Sequence, residues 1–155
     1  LIEEKITKNT KAIMPVDFRG HPANLREIKE ISERYNLKII EDGSHSIGST
    51  YKEEGKTYFC GDGIHADLCT YSFHPVKHIT TGEGGMVVCE TQDDNDLLCT
   101  LRAHGWHRES VSRNQYEDQN PEVDPRFLFI NTGYNISKSL FLLSFRILFI
   151  PLNFF

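Results

Sequence analysis

Lys77 lies between an apolar run, ADLCTYSF at residues 66–73, and the glycine-rich segment TTGEGG at residues 80–85. A lysine held between aromatic residues and a tight loop is a candidate for partial desolvation, which would make its amine a nucleophile. A solvated loop lysine fits the same residues. Asp42 closes a second apolar run, residues 37–40 followed by Glu41. In open parallel sheets the carboxyl ends of the strands are where ligands bind, and a carboxylate there needs a cationic partner. On spacing alone, an Asp42 that caps the turn with Gly43 and Ser44 is the better supported reading.

Other chemistries find less support. Lys77 precedes the glycines instead of following them as in a P-loop, and Val87 stands where the third glycine of GxGxxG would fall, which disfavours a nucleoside triphosphatase. His74 and His78 are four apart, but Pro75 between them disfavours the helix that would put both on one face. His104 and His107 have no carboxylate at metal spacing, so no metal is expected. Cys60, Cys69, Cys89 and Cys99 form no CxxC pair and read as buried thiols of a reducing cytoplasm.

The elements that must position these residues follow from periodicity. Residues 11–17 form a short apolar run with strand length, ended by turn-forming Arg19, Gly20, His21 and Pro22. Leu25, Ile28, Ile31 and Tyr35 then recur at helical spacing, Asn24 with Glu27 resembles a capping box, and Asn36 ends the helix. Residues 37–42 return to strand character. Strand, helix and strand with short joints make a βαβ unit and therefore an α/β sheet. Residues 68–73 and 85–89 are further strands, 57–59 a weaker one, 94–104 a short helix, and polar 110–124 an exposed loop.

The chain has 155 residues and a net charge of -5, enough for one domain with a real core and unsuited to non-specific nucleic-acid binding. All 22 acidic residues lie at or before Asp124, whereas residues 138–155 read KSLFLLSFRILFIPLNFF and hold five of the ten phenylalanines. Arg146 and Pro151 interrupt the sixteen mostly apolar residues 140–155, short of the roughly twenty that a bilayer span needs, so no membrane partner is expected. The chain opens on Leu1, with its first methionine at Met14 and no signal-peptide pattern, and reads as a piece of something longer.

DGSHSIG at 42–48, SFHPVK at 72–77, ITTGEGG at 79–85, LRAHG at 101–105 and GYN at 133–135 occur in one order and spacing. In that order they resemble the DegT/DnrJ/EryC1/StrS sugar aminotransferases, pyridoxal-phosphate-dependent enzymes, and the opening ITKNTKAIMPVDFRGHPANL resembles the segment leading into their cofactor aspartate. The resemblance covers residues 1–136 and implies a fragment of the large domain of a fold-type I (aspartate aminotransferase-like) transferase. It divides the chain into a cofactor-binding part, residues 1–137, and an apolar tail, residues 138–155, that departs from the pattern as a frameshift or truncated reading frame would.

Carried over by position, the resemblance makes Lys77 the lysine that bonds to pyridoxal 5'-phosphate and shuttles the proton, and Asp42 the partner of the pyridine nitrogen. His45 would stand beside the ring, Ser72 would bind the phosphate, and Asn135 would reach the phosphate of the partner subunit in a homodimer. The implied reaction moves the amino group of glutamate to a keto carbon of a nucleotide-diphosphate deoxysugar, in the cytoplasm, for lipopolysaccharide, capsule or glycan synthesis. The fragment is not expected to act alone. DPRFLFIN at 124–131 also resembles the sugar 3-dehydrase branch, but that branch carries histidine where this chain has Lys77. A non-catalytic remnant that keeps only the scaffold is the third alternative.

Overall fold

A computed structural model describes residues 1–134 and the backbone of residues 147–149. Strand β1 is short, Ala12–Ile13. It pairs in parallel with β2, Lys38–Asp42, through Ala12 with Lys38 and Ile13 with Ile39. The contact continues past β1: the Asp42 amide donates to the Pro15 carbonyl (2.8 Å) and the Asp17 amide to the Asp42 carbonyl (3.1 Å). The expected strand at 11–17 is thus present as a broken ladder that reaches Asp17.

Helix α1, Leu25–Tyr35, bridges the two strands. Its boundaries follow from its caps: the Asn24 side chain accepts from the Glu27 amide, and Asn36 takes a left-handed backbone (φ 51°) that asparagine tolerates better than most residues. Leu25 and Ile28 are buried as the spacing predicts, but Tyr35 is 45% exposed and Ser32 occupies a buried position instead. The Ser32 hydroxyl donates to the Lys29 carbonyl at 2.8 Å, which makes its burial tolerable.

Strand β3, Thr50–Glu53, and β4, Lys56–Phe59, form an antiparallel hairpin apart from the main sheet. Of the two, only the second is predicted by the sequence pattern. Its turn, Glu54 and Gly55, has positive φ at both positions (49° and 79°), the geometry that matches hairpin twist. Strand β5, Leu68–Ser72, runs parallel to β2 with Asp42 opposite Thr70. Strand β6, Gly85–Cys89, returns antiparallel with Ser72 opposite Gly85, and β7, Ile147–Phe149, pairs antiparallel with β6. The main sheet has the order β1-β2-β5-β6-β7.

Alternation along the strands sorts the side chains. Ile39, Glu41, Cys69 and Tyr71 fall on one face and are buried; Ile40, Asp42, Thr70 and Ser72 share the other and are half-buried. Ile28 and Ala66 pack against Ile39, which is fully buried. Helix α2, Gln92–Arg102, starts at Thr91, whose hydroxyl accepts from the Asp94 amide. Residues 110–124, expected as a loop, contain helix α3, Arg113–Gln119. Its sequence RNQYEDQ has no apolar stripe, so nothing in its periodicity announces a helix. Contacts from outside hold it: Glu117 accepts from buried His107, and Asp96 accepts from the amides of Val111 and Ser112. No helix among the described residues is long and apolar enough to cross a membrane.

Candidate functional site

Asp42 is the last residue of β2. One carboxylate oxygen accepts from the Ser44 amide at 3.0 Å, so the capping reading is correct for that oxygen. The other has no protein donor among the described residues. Gly43 follows, its amide donating to the Thr70 carbonyl at 2.9 Å. A Cβ there would lie 2.8 Å from Tyr71 Cε1 and 2.9 Å from Cys69 Sγ, so this close approach of the turn to β5 needs glycine.

The turn then brings up Ser46 and His45. Ser46 is fully buried and its hydroxyl donates to Asp17 Oδ2 at 2.8 Å, while Asp17 Oδ1 accepts from the Ala23 amide at 2.9 Å. Asp17 therefore ties the segment 16–23 to the 42–46 turn. His45 Nδ1 accepts from the Arg19 amide at 3.2 Å, and its ring sits 5.8 Å from that of Phe18.

Ser72 ends β5, with its Oγ accepting from the His74 amide at 3.4 Å. Beyond it the chain turns back: the Lys77 amide donates to the His74 carbonyl (2.9 Å), the Thr80 hydroxyl to the Phe73 carbonyl (2.9 Å), and the Phe73 amide to the Gly84 carbonyl (2.8 Å). This closed loop presents a half-buried Lys77 at the carboxyl end of the sheet. His78 Nε2 lies 3.3 Å from the Ile47 carbonyl and ties the loop to the Asp42 turn.

Lys77 and His45 share an open cleft of about 310 Å³, lined also by Arg19, Val76 and His78. Asp42 and Ser72 do not line that cleft; the sheet places them together on its half-buried face, one strand apart. Asn135 lies outside the described residues. The sequence marks Arg19 only as a turn former and His78 only as half of a disfavoured metal pair.

Beneath the site is a group the sequence did not suggest. Asp17, Glu41 and Cys60 are buried and bring ligand atoms within 4.8 Å of one another. Both Glu41 oxygens accept from the Gly61 amide (3.1 and 3.0 Å) and both Asp17 oxygens are engaged, so this cluster is knitted by hydrogen bonds within the protein. Burial, and then the neighbouring Asp17 carboxylate, pushes the Glu41 carboxyl up to about 8. Burial and the Asp17 side chain thus favour the protonated form of Glu41. Burial pushes the Cys60 thiol up to about 12 and Cys69 higher still, and all four cysteines are buried free thiols, as their spacing suggested.

An α/β sheet carrying a lysine loop and an aspartate at its carboxyl edge is the arrangement of an aminotransferase large domain. The chain belongs to the DegT/DnrJ/EryC1/StrS aminotransferase family, whose model matches residues 1–137. It is 43% identical over 101 residues to the UDP-4-amino-4,6-dideoxy-N-acetyl-beta-L-altrosamine transaminase of Campylobacter jejuni, covering 65% of this chain and 25% of that protein. Among solved structures it is similar to Helicobacter pylori PseC, an aminotransferase of pseudaminic acid biosynthesis, with 29% identity, a TM-score of 0.59, and coverage of 71% and 28%. It is also similar to the E coli GDP-4-keto-6-deoxy-D-mannose-3-dehydratase with bound hydrated PLP, with 30% identity, a TM-score of 0.66, and coverage of 86% and 33%. The chain spans a quarter to a third of the length of these relatives. Its fold is that of part of the fold-type I large domain.

Proposed function

We propose that these residues belong to a pyridoxal-phosphate-dependent sugar aminotransferase, which moves an amino group from glutamate to a keto carbon of a nucleotide-diphosphate deoxysugar. The observation that carries this reading is the Asp42 carboxylate, half-buried at the end of β2, with one oxygen fixed by the Ser44 amide and the other without a protein donor among the described residues. A carboxylate prepared in that way suits a protonated ring nitrogen. When bound, pyridoxal phosphate supplies an electron sink for the carbanion left when the substrate loses a proton.

The remaining roles fall to the other residues that the family resemblance marks. Lys77 Nζ holds the cofactor and moves the proton, His45 stands beside it in the cleft, Ser72 Oγ is a donor for the phosphate, and Asn135 reaches the phosphate of the other subunit in a homodimer. The reading extends to a cytoplasmic enzyme that serves lipopolysaccharide or other polysaccharide synthesis. An amine at position 77 favours transamination over the dehydrase alternative, because a dehydrase gains from lacking a lysine that recaptures the cofactor.

Adding pyridoxal phosphate to the chain, reducing with borohydride and mapping the labelled peptide tests the reading. The label should fall on Lys77 and vanish in Lys77→Ala, while Asp42→Asn should require more cofactor for the same labelling. A label on another lysine, or Asp42→Asn behaving as the parent, overturns the assignment.

A further inference from the structure

Resting on that reading of Lys77, we infer that Arg19 and His45 form an oxyanion subsite beside it, which takes a carboxylate or phosphate group of the reacting molecule. The cleft that holds Lys77 is lined by Arg19, His45, Val76 and His78, with no acidic side chain among them. Arg19 makes no ion pair among the described residues; its guanidinium carbon lies 5.4 Å from the centre of the Phe18 ring. Arg26, Arg34, Arg102, Arg113 and Arg126 are each paired with a carboxylate, and Arg108, which is not, lies over the Trp106 ring and donates to the Arg126 carbonyl. An arginine left uncompensated in a concave, acid-free site is matched to an anionic ligand, for which its planar fork is well suited.

The backbone at Arg19 supplies the second half of the subsite. Its φ is 57° and that of Gly20 is 79°, so a non-glycine residue is held in the left-handed region. Such a conformation persists only where the surroundings fix it. Here it aims the Arg19 N–H at His45 Nδ1, 3.2 Å away, across 26 positions of sequence. A main-chain amide can only donate, so Nδ1 accepts and the neutral ring carries its proton on Nε2. Nε2–H has no protein acceptor among the described residues. The cleft therefore offers an oxyanion a guanidinium and an imidazole N–H next to the Lys77 amine. His78 has its Nε2 against the Ile47 carbonyl at 3.3 Å, and serves as a strut between the two loops.

Two sources of the anion share this chemistry: the carboxylate of an amino donor, and a phosphate of a nucleotide or cofactor. The test titrates glutarate, inorganic phosphate and pyrophosphate separately into the full chain. The His45 and His78 ring resonances and calorimetry follow binding, and long-range proton–nitrogen correlation gives the His45 tautomer. At least one anion should bind, His45 should be the Nε2–H tautomer, and Arg19→Gln should weaken binding by about tenfold or more. Arg19→Gly accepts a positive φ and keeps the N–H, so it should retain the tautomer and still lose the anion, which guards against a misfolded Gln variant. Arg19→Lys keeps the charge without the planar fork and should therefore recover only part of the binding, most for an anion that is held as by a point charge. Glutarate preference assigns the amino donor; phosphate preference assigns the nucleotide or cofactor. Absence of binding, an Nδ1–H tautomer, or Arg19 variants that bind like the parent would overturn the inference. Borohydride labelling run in parallel separates it from the reading of Lys77: anion binding that depends on Arg19 with no label at Lys77 sustains the subsite and sinks the aminotransferase reading.

Discussion

Glu41 and Asp42 are neighbours with opposite tasks, and strand alternation is what separates them. Asp42 faces the half-buried side with an oxygen to spare, while Glu41 turns into the core, 1% exposed, against Asp17. The Glu41 carboxyl titrates near 8 in the fold and near 4.5 in the unfolded chain, so folding favours its proton. The stability it contributes is full below about pH 4.5 and is lost as pH rises toward 8, at about 1.4 kcal/mol per pH unit across that window. Glu41→Gln keeps an acceptor for the Gly61 amide and a donor for Asp17 without a titration. Urea denaturation at pH 5 and pH 8 should show the parent losing stability and the variant holding level; equal losses would show that Glu41 is not the titrating group. The apolar run that ends in two acids gave Asp42 its place from sequence. It could not reveal the Glu41–Asp17 pair, because that contact joins residues 24 positions apart and depends on which face of β2 turns inward. Arg19 was hidden in the same way, its role depending on a backbone angle and a histidine far along the chain.

At the level of elements, turns and caps were more legible than irregular segments. The Asn24 and Asn36 caps and the βαβ unit rest on local chemistry, and they stand where periodicity put them. The α3 helix does not, since it is fastened by tertiary contacts. Asp96, 3% exposed, accepts from the amides of Val111 and Ser112 (2.8 and 3.0 Å) and from the Gln92 side chain (2.9 Å). Burial opposes its ionisation, yet the hydrogen bonds from Ser112, Val111 and Ser110 prevail and hold its carboxyl down to about 2. Its contribution is therefore present above the ordinary value of 3.8 and lost as pH falls through about 2. Asp96→Asn should cost about 2 kcal/mol at pH 7, with the gap to the parent closing as pH falls below 3. A gap that stays constant with pH would mean the carboxylate charge is irrelevant there. The Asp42 turn offers a purely steric counterpart. Gly43→Ala drives a Cβ into Tyr71 and Cys69 and should cost about 1–3 kcal/mol, whereas Gly48→Ala meets nothing within 4 Å and adds only the strain of a φ of 80°, about 1 kcal/mol. Thermal melts of the two variants should fall in that order.

At the scale of the whole molecule, several large apolar side chains of the described residues stay exposed, some of them beside the site. Phe18 is 61% exposed, Val76 78%, Phe127 67% and Tyr134 70%. The tail adds five phenylalanines of its own. Its composition, unlike that of the preceding residues, suggests a segment with no packing role, and most of it lies outside the described residues. Ile147–Phe149 nevertheless pairs with β6 through Val88, Val87 and Met86, so removing it opens a sheet edge. Truncation after residue 137 is therefore expected to have two effects. Light scattering should report less self-association than in the 155-residue chain, but still some, because Phe18, Val76, Phe127 and Tyr134 remain. The melting temperature should drop by a few degrees, since about 1 kcal/mol corresponds to roughly 2–4 °C in a chain of this size. An unchanged melt would return residues 138–155 to the status of a passive tail, while a truncated chain that is strictly monomeric at high concentration would place the excess apolar surface in the tail alone.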